Sequence, residues 1–301
     1  MSGGMRWLCA AGHTALLCAG PWEWRGMLVG KMRMGWFSGL LALVLLLPGI
    51  ALSADRSPSE LPSLLTALRR EITTAWRKLD TDLALAAHEL AKVGLAGPEA
   101  RTILRQLCQG NPVAVDCATV DRTGRMLTLE PEAYRAFEGA DISGQEQIVR
   151  LHRTKRPVVS RVIHAVEGFD AIDLEHPVLS AQRQLLGSVS LLLKPEALLA
   201  GIVSSVMRDD PTHLWVMQTD SRMLYVFDST RRDNGLSQSS DGPTLQRMGM
   251  LGRQIVRKRS GSGTYVVPTG GTLGSVRRQV FWTTVTLHGT EWRLVASPLP
   301  R

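Results

Sequence analysis

The chain has 301 residues, 44% of them apolar, 21% charged and 5% aromatic. That balance excludes a disordered chain, a collagen-like repeat and a disulfide-dense miniprotein, and leaves one large domain or two smaller ones. A net charge of +8 points to an anionic partner, nucleic acid included, until the charges are located along the chain.

They are unevenly distributed. Trp36 to Ser53 reads WFSGLLALVLLLPGIALS and carries no charge, with Lys31 and Arg33 before it and Asp55 and Arg56 after it. A basic flank, an apolar run and a small-residue exit form a secretory signal. Ala51-Leu52-Ser53 fits the small-x-small rule, so cleavage is expected after Ser53 or Ala54. The apolar core, Leu40–Leu47, stops at Pro48-Gly49 and is shorter than the about 20 residues of a spanning helix. An uncleaved N-terminal membrane anchor is the alternative. Met27, Met32 and Met34 each offer a better start, so residues 1–54 read as an over-extended N-terminus plus signal peptide. Cys9 and Cys18 lack a lipoprotein context, because Leu8 and Leu17 stand where a small residue is needed. Cleavage removes Arg6, Arg25, Lys31 and Arg33 with Glu23 and leaves about +5, an ordinary value. Nucleic acid is then not an expected partner, and the location is expected to be periplasmic.

Residues 55–110 read as a long helix and a short one. Leu61, Leu64, Leu65, Leu68, Ile72, Trp76, Leu79, Leu83, Ala86, Leu90 and Val93 recur at three and four spacing, and Gly94 and Gly97-Pro98 end the run. A short helix over 98–109 follows. Cys108 and Cys117 remain after cleavage; in an exported chain they are either a disulfide or two buried thiols. No His or further Cys at ligand spacing marks a metal site beside them.

From Pro112 the period changes to strands. A first module, 111–207, has strands at 113–120 and 125–129 around the turn Asp121-Arg122-Thr123-Gly124. A helix at 143–152 follows, then strands at 157–164, 171–179 and 188–193 and a helix at 197–207. A second module, 208–301, repeats the order. It has strands at 213–218 and 222–227, a helix at 243–258 and strands at 263–268, 276–286 and 292–296. The turns share letters: Arg125-Met126-Leu127 after Asp121 and Gly124, Arg222-Met223-Leu224 after Asp220. The fold class is α+β, a long helix followed by two similar modules with antiparallel sheets.

This order of elements resembles the double Cache fold, the PAS-like sensing domain of bacterial chemoreceptors and sensor kinases. The strings that carry the resemblance are Arg156–Ser160, Ile172–Val178, Gly187–Glu196, Thr219–Tyr225 and Gly289–Val295, over about residues 58–298. It implies ligand sensing in the membrane-distal module, here the first. It also implies a membrane helix after the domain and a cytoplasmic output. The chain ends at Arg301 directly after the last strand, so a stand-alone exported module is expected, read by a membrane-bound signalling or transport partner. The amino-acid-binding branch carries Arg-x-aromatic, then Tyr-x-Asp and a further Asp. The matching region here offers Arg150, Leu151 and His152, then Val159 and Arg161, and Leu191–Leu193. Without those two aspartates, the expectation is an anionic organic ligand rather than an α-amino acid.

The candidate ligand residues follow. Arg161, in mid-strand, can hold a carboxylate with two parallel hydrogen bonds, or face solvent. His176 shares parity with Ile172 and Leu174 and is either an inward anion or pH contact or a satisfied core histidine. Arg150 and His152, beside Arg153 and Lys155, form a positive pocket rim or a solvated turn. Arg247, Arg253, Arg257, Lys258 and Arg259 make the second-module helix basic, the pattern of a solvated face or of an anionic partner. Phosphate-loop, zinc-protease and nucleophile-elbow motifs are absent, so no catalytic residues, no cofactor and no metal are assigned. Two functions are carried forward: a sensor module for a small organic ligand, and a periplasmic structural or regulatory protein without one.

Overall fold

The computed structural model describes residues 60–207, 212–228, 249–268 and 275–299. The expected leader, residues 1–54, and the first residues, 243–248, of the helix expected at 243–258 lie outside them. None of the described helices is long and apolar enough to cross a membrane.

Helix α1, Leu61–Val93, starts with proline in its first turn, where a missing N–H is harmless, and ends where Gly94 turns at φ 93° and donates to Leu90 O at 2.8 Å. One face from Leu61 to Leu90 is buried. Helix α2, Pro98–Gly110, packs beside it. Cys108, near the end of α2, is bonded to Cys117 in the first strand.

The first sheet contains β1 (Ala114–Asp121), β2 (Met126–Glu130), β3 (Val158–Val159), β4 (Ile163–His164), β5 (Asp170–Leu179) and β6 (Leu185–Leu193). Its order is β2-β1-β6-β5-β3, with β4 also on β5. A 3₁₀ turn, Glu132–Phe137, and helix α3, Glu146–Thr154, lie between β2 and β3. Helix α4, Pro195–Met207, leads to the second sheet. That sheet has β7 (Thr212–Gln218), β8 (Met223–Asp228), β9 (Gly261–Pro268), β10 (Ser275–Leu287) and β11 (Thr290–Pro298), with α5 (Met250–Arg257) between β8 and β9. Its order, β8-β7-β11-β10-β9, repeats the first. Both sheets are antiparallel.

Two local expectations are corrected. The single strand at 157–164 is two short pieces, because the ladder is half broken at Ser160: its N–H still donates to Asp173 O at 2.8 Å, but the return bond goes to its side chain. Its hydroxyl donates to Arg161 O and also accepts the Asp173 N–H, at 2.8 Å. The helix expected from residue 143 begins at Glu146, because Asp141 accepts the Ser143 N–H in a turn at 2.9 Å.

The largest core cluster joins α1 to one face of each sheet. Ile172, Leu174, Leu191 and Leu193 meet it from the first sheet, and Leu214, Val216, Trp292 and Leu294 from the second. Trp76 of α1 and Trp292 of β11 stack edge to face, 4.9 Å apart. The face of each sheet turned away from α1 differs. In the second module it is filled by Trp215, Trp282, Leu251, Ile255 and Tyr265. Arg293 is buried there and donates to the Ile255 and Val256 carbonyls near the end of α5. In the first module the corresponding face is partly polar.

Candidate functional site

Register brings acids together on that face. Asp116 of β1 pairs with Leu192 of β6, and Leu192 pairs with Asp173 of β5, so the two aspartates flank one leucine in one row. In the next row Ala118, Ser190 and Glu175 lie side by side. Alternation along β5 puts Asp173 and Glu175 on the face opposite Ile172 and Leu174. That face is buried, not solvated, because α3 covers it: Gln147 Nε2 donates to Asp173 Oδ2 at 3.3 Å.

Asp116, Glu167, Asp173 and Ser190 line a small recess of about 20 Å³, partly open to solvent, with Met126, Ile142, Ile163, Ala165 and Leu192 as its apolar wall. Asp116 is 1% exposed and Asp173 4%, so both carboxylates have lost most of their water. Asp116 Oδ2, Glu167 Oε1, Asp173 Oδ1 and Glu175 Oε2 are buried and accept no hydrogen bond within the protein. Among the described residues, none of the four carboxylates has an ion-pair partner. Burial raises the Asp173 carboxyl to about 7, against the Gln147 hydrogen bond and with the help of Glu167. Burial, then Glu167 and Asp173, pushes Asp116 well above the usual carboxylate range. Burial raises Glu167, and burial followed by Asp173 raises Glu175 far up. Such a cluster is stable as neutral acids or around a cation.

The residues read from sequence lie elsewhere. Arg161 is exposed in the break between β3 and β4. The Arg150 guanidinium fastens α3 to β3, with Glu146 at 3.2 Å and the Val159 carbonyl at 2.5 Å. His152, in the last turn of the same helix, is half-buried. None of the three lines the recess. The lining is acidic, the reverse of the charge expected for an anionic ligand. Its acids were legible only as isolated letters: Asp116 in an apolar strand, Asp173 and Glu175 as the alternate set of β5.

His176 has the expected parity but a different setting. It faces α1, where its Nε2 donates to Asp80 Oδ1 at 2.6 Å; His288 Nε2 donates to the same oxygen at 2.5 Å. Burial alone would raise the Asp80 carboxyl, but the His288 and His176 hydrogen bonds outweigh it and hold it below its ordinary range. Burial is the largest influence on His176 and lowers it, with Asp80 opposing. Below them, Trp76, Val159, Val285, Leu287, Thr290 and Trp292 pack around a narrow crevice, where Thr290 Oγ1 donates to Val159 O at 2.7 Å.

Residues 74–195 match the family model of the HK/GC/chemotaxis protein-like sensor domain. Among solved structures, the chain is similar to an extracellular ligand binding receptor from Desulfohalobium retbaense DSM5692. The identity is 35% and the TM-score 0.66, over 80% of this chain and 41% of that one. The chain therefore spans about two fifths of that receptor's length. It is also similar to the ligand-binding domain of the Pseudomonas fluorescens chemoreceptor CtaA, solved with L-serine. There the identity is 15% and the TM-score 0.56, over 80% of this chain and 96% of that one. The periplasmic sensory domain of the Campylobacter jejuni chemoreceptor Tlp1 gives 11% and 0.55, over 80% and 94%. No curated protein matches the sequence.

The fold is the double-Cache fold, shared with the solved structures above, and residues 74–195 are similar to the sensor-domain family model. The two PAS-like sheets share α1, and the acidic recess belongs to the first of them.

Proposed function

We propose that this chain is an exported sensor module that captures a small organic molecule bearing an ammonium group in the recess of its first module. The observation that carries the reading is the set Asp116, Glu167 and Asp173, which line one recess, lack an ion-pair partner and each keep a buried oxygen without a hydrogen bond. A buried carboxylate without a cation is destabilising, and residues kept at such a cost point to binding. CtaA, with the same fold, is solved with L-serine. In the second module the equivalent face is apolar, with Trp215 and Trp282 on it.

Capture would bring the covering α3 and the β4–β5 segment onto the ligand and shift β5 against α1. A membrane-bound signalling or transport partner would read that shift. No step of this reading is enzymatic.

The test is a thermal-shift panel of amino acids, simple amines, organic acids and purines on the exported form of the chain. Stabilisation follows RT ln(1 + [L]/Kd), so a micromolar ligand at millimolar concentration adds about 4 kcal/mol. At this size that is roughly 8–16 °C in Tm. Amine-bearing compounds are expected to give the shift. A response confined to organic acids without an amine would overturn the proposed ligand chemistry, and silence across the panel would favour the structural reading.

A further inference from the structure

We propose that Asp80, His176 and His288 form a binding site for a divalent transition metal of the zinc class, which fastens α1 to both modules. Among the described residues these three are the group of His, Cys, Asp or Glu side chains whose ligand atoms gather, all within 4.8 Å of one another.

The site is composite. Asp80 comes from α1, one turn after Trp76. His176 comes from β5 of the first sheet, and His288 from the hairpin between β10 and β11 of the second. Two imidazoles and one carboxylate are a borderline-soft donor set that suits zinc and its neighbours, with a fourth position left for water or another ligand.

The geometry is close to what such an ion needs. Both Nε2 atoms point at Asp80 Oδ1, from 2.6 and 2.5 Å. Tetrahedral zinc with bonds of about 2.0–2.1 Å holds neighbouring donor atoms roughly 3.3 Å apart. Each imidazole therefore has to retreat from the carboxylate by less than about 1 Å, a side-chain adjustment. The rings stand edge to face, 5.8 Å between centroids, so neither blocks the other's nitrogen. Side-chain exposures of 10% for His176, 26% for Asp80 and 21% for His288 leave the group shielded but reachable.

The hairpin adds an independent sign. Leu287 pairs with Thr290, so His288-Gly289 is a two-residue loop with φ of 46° and 84°. Positive φ at both positions is the type I′ pattern, for which Asn-Gly is the favoured pair. Histidine at the first position accepts a disfavoured backbone and gains the contact with Asp80.

The substitution His288→Asn is therefore a clean test, since it removes the imidazole and restores the preferred turn residue. Titration calorimetry of the exported chain with Zn²⁺ alone, after chelator treatment, is expected to give one ion per chain. Loss of an outer-shell partner weakens metal sites about 10–100-fold, so loss of a direct ligand should weaken this one by roughly 100-fold or more. Asp80→Asn should weaken binding as well, and Co²⁺ should give the intense visible absorption of a tetrahedral site in the wild type only. His88, His152, His164 and His213 remain in both variants and report adventitious binding. Equal zinc affinity in wild type and His288→Asn, with both folded by circular dichroism, would overturn the proposal, as would a wild type that takes up no stoichiometric zinc. The outcome is independent of the amine panel, because the two sites lie on opposite faces of β5.

Discussion

Replacing Asp173 by asparagine should stabilise the ligand-free protein while abolishing its response to ligand. The side chain is 4% exposed, its Oδ1 has no hydrogen-bond partner, and Asp116 and Glu167 line the same cavity. The carboxyl titrates near 7 in the fold against 3.8 in the reference state. A raised value means that the folded state holds the proton more tightly than the unfolded chain. Its contribution to stability is complete below about pH 4 and is lost as the pH rises through about 7. Fully ionised, the group then opposes folding by up to roughly 4 kcal/mol. Asn keeps the shape and the Gln147 contact without the charge, so a gain of about 1–3 kcal/mol is expected at pH 8, or roughly 2–12 °C in Tm. Calorimetric melts at pH 5 and pH 8 make the check. The wild type should lose stability between them more steeply than Asp173→Asn. A variant that melts below wild type at pH 8, or with the same pH slope, would refute the reasoning.

The same carboxylate sets the pH dependence of capture. A cation needs Asp173 ionised, so affinity for an amine should rise about 30-fold between pH 5.5 and 8, with proton release measurable by calorimetry in two buffers. Trp76→Ala removes a 2%-exposed ring from its contact with Trp292 and should lower unfolding free energy by about 3–5 kcal/mol in urea. Gly187→Ala should cost about 2 kcal/mol or more. Its φ is 153°, and an added Cβ would lie 2.1 Å from Val120 O, so a clear fall in Tm is expected. Reducing the Cys108–Cys117 bond opens a short loop, and the double serine variant should lose roughly 2–3 kcal/mol by denaturant titration.

Local pattern carried much of the architecture. The leucine stripe of α1, the Gly94 stop, the repeated turn letters and the alternation of β5 are all short-range signals, and each has a direct counterpart in the fold. The sites are different in kind. Asp116 and Asp173 meet because β6 lies between β1 and β5 in one register, which no stretch of letters encodes. Asp80 and His288 are separated by 208 positions and meet only once both sheets are docked on the helix. Arg161 read well as a carboxylate ligand on an unbroken strand, but the Ser160 hydrogen bonds interrupt that strand and turn the arginine outward. The ligand's expected charge followed from aspartates missing at aligned positions; the acids are supplied from other places on the sheet.

The helix shared by the two sheets also dictates the order in which the chain can become complete. Helix α1 is synthesised before either sheet, yet Trp76 finds Trp292 only when the last strand is in place. Until then its row of leucines, from Leu61 to Leu90, has only part of its cover. Contacts this distant in sequence close late and slowly. During that interval the first segment made leaves part of an apolar stripe uncovered, and self-association through that stripe is the hazard of the delay.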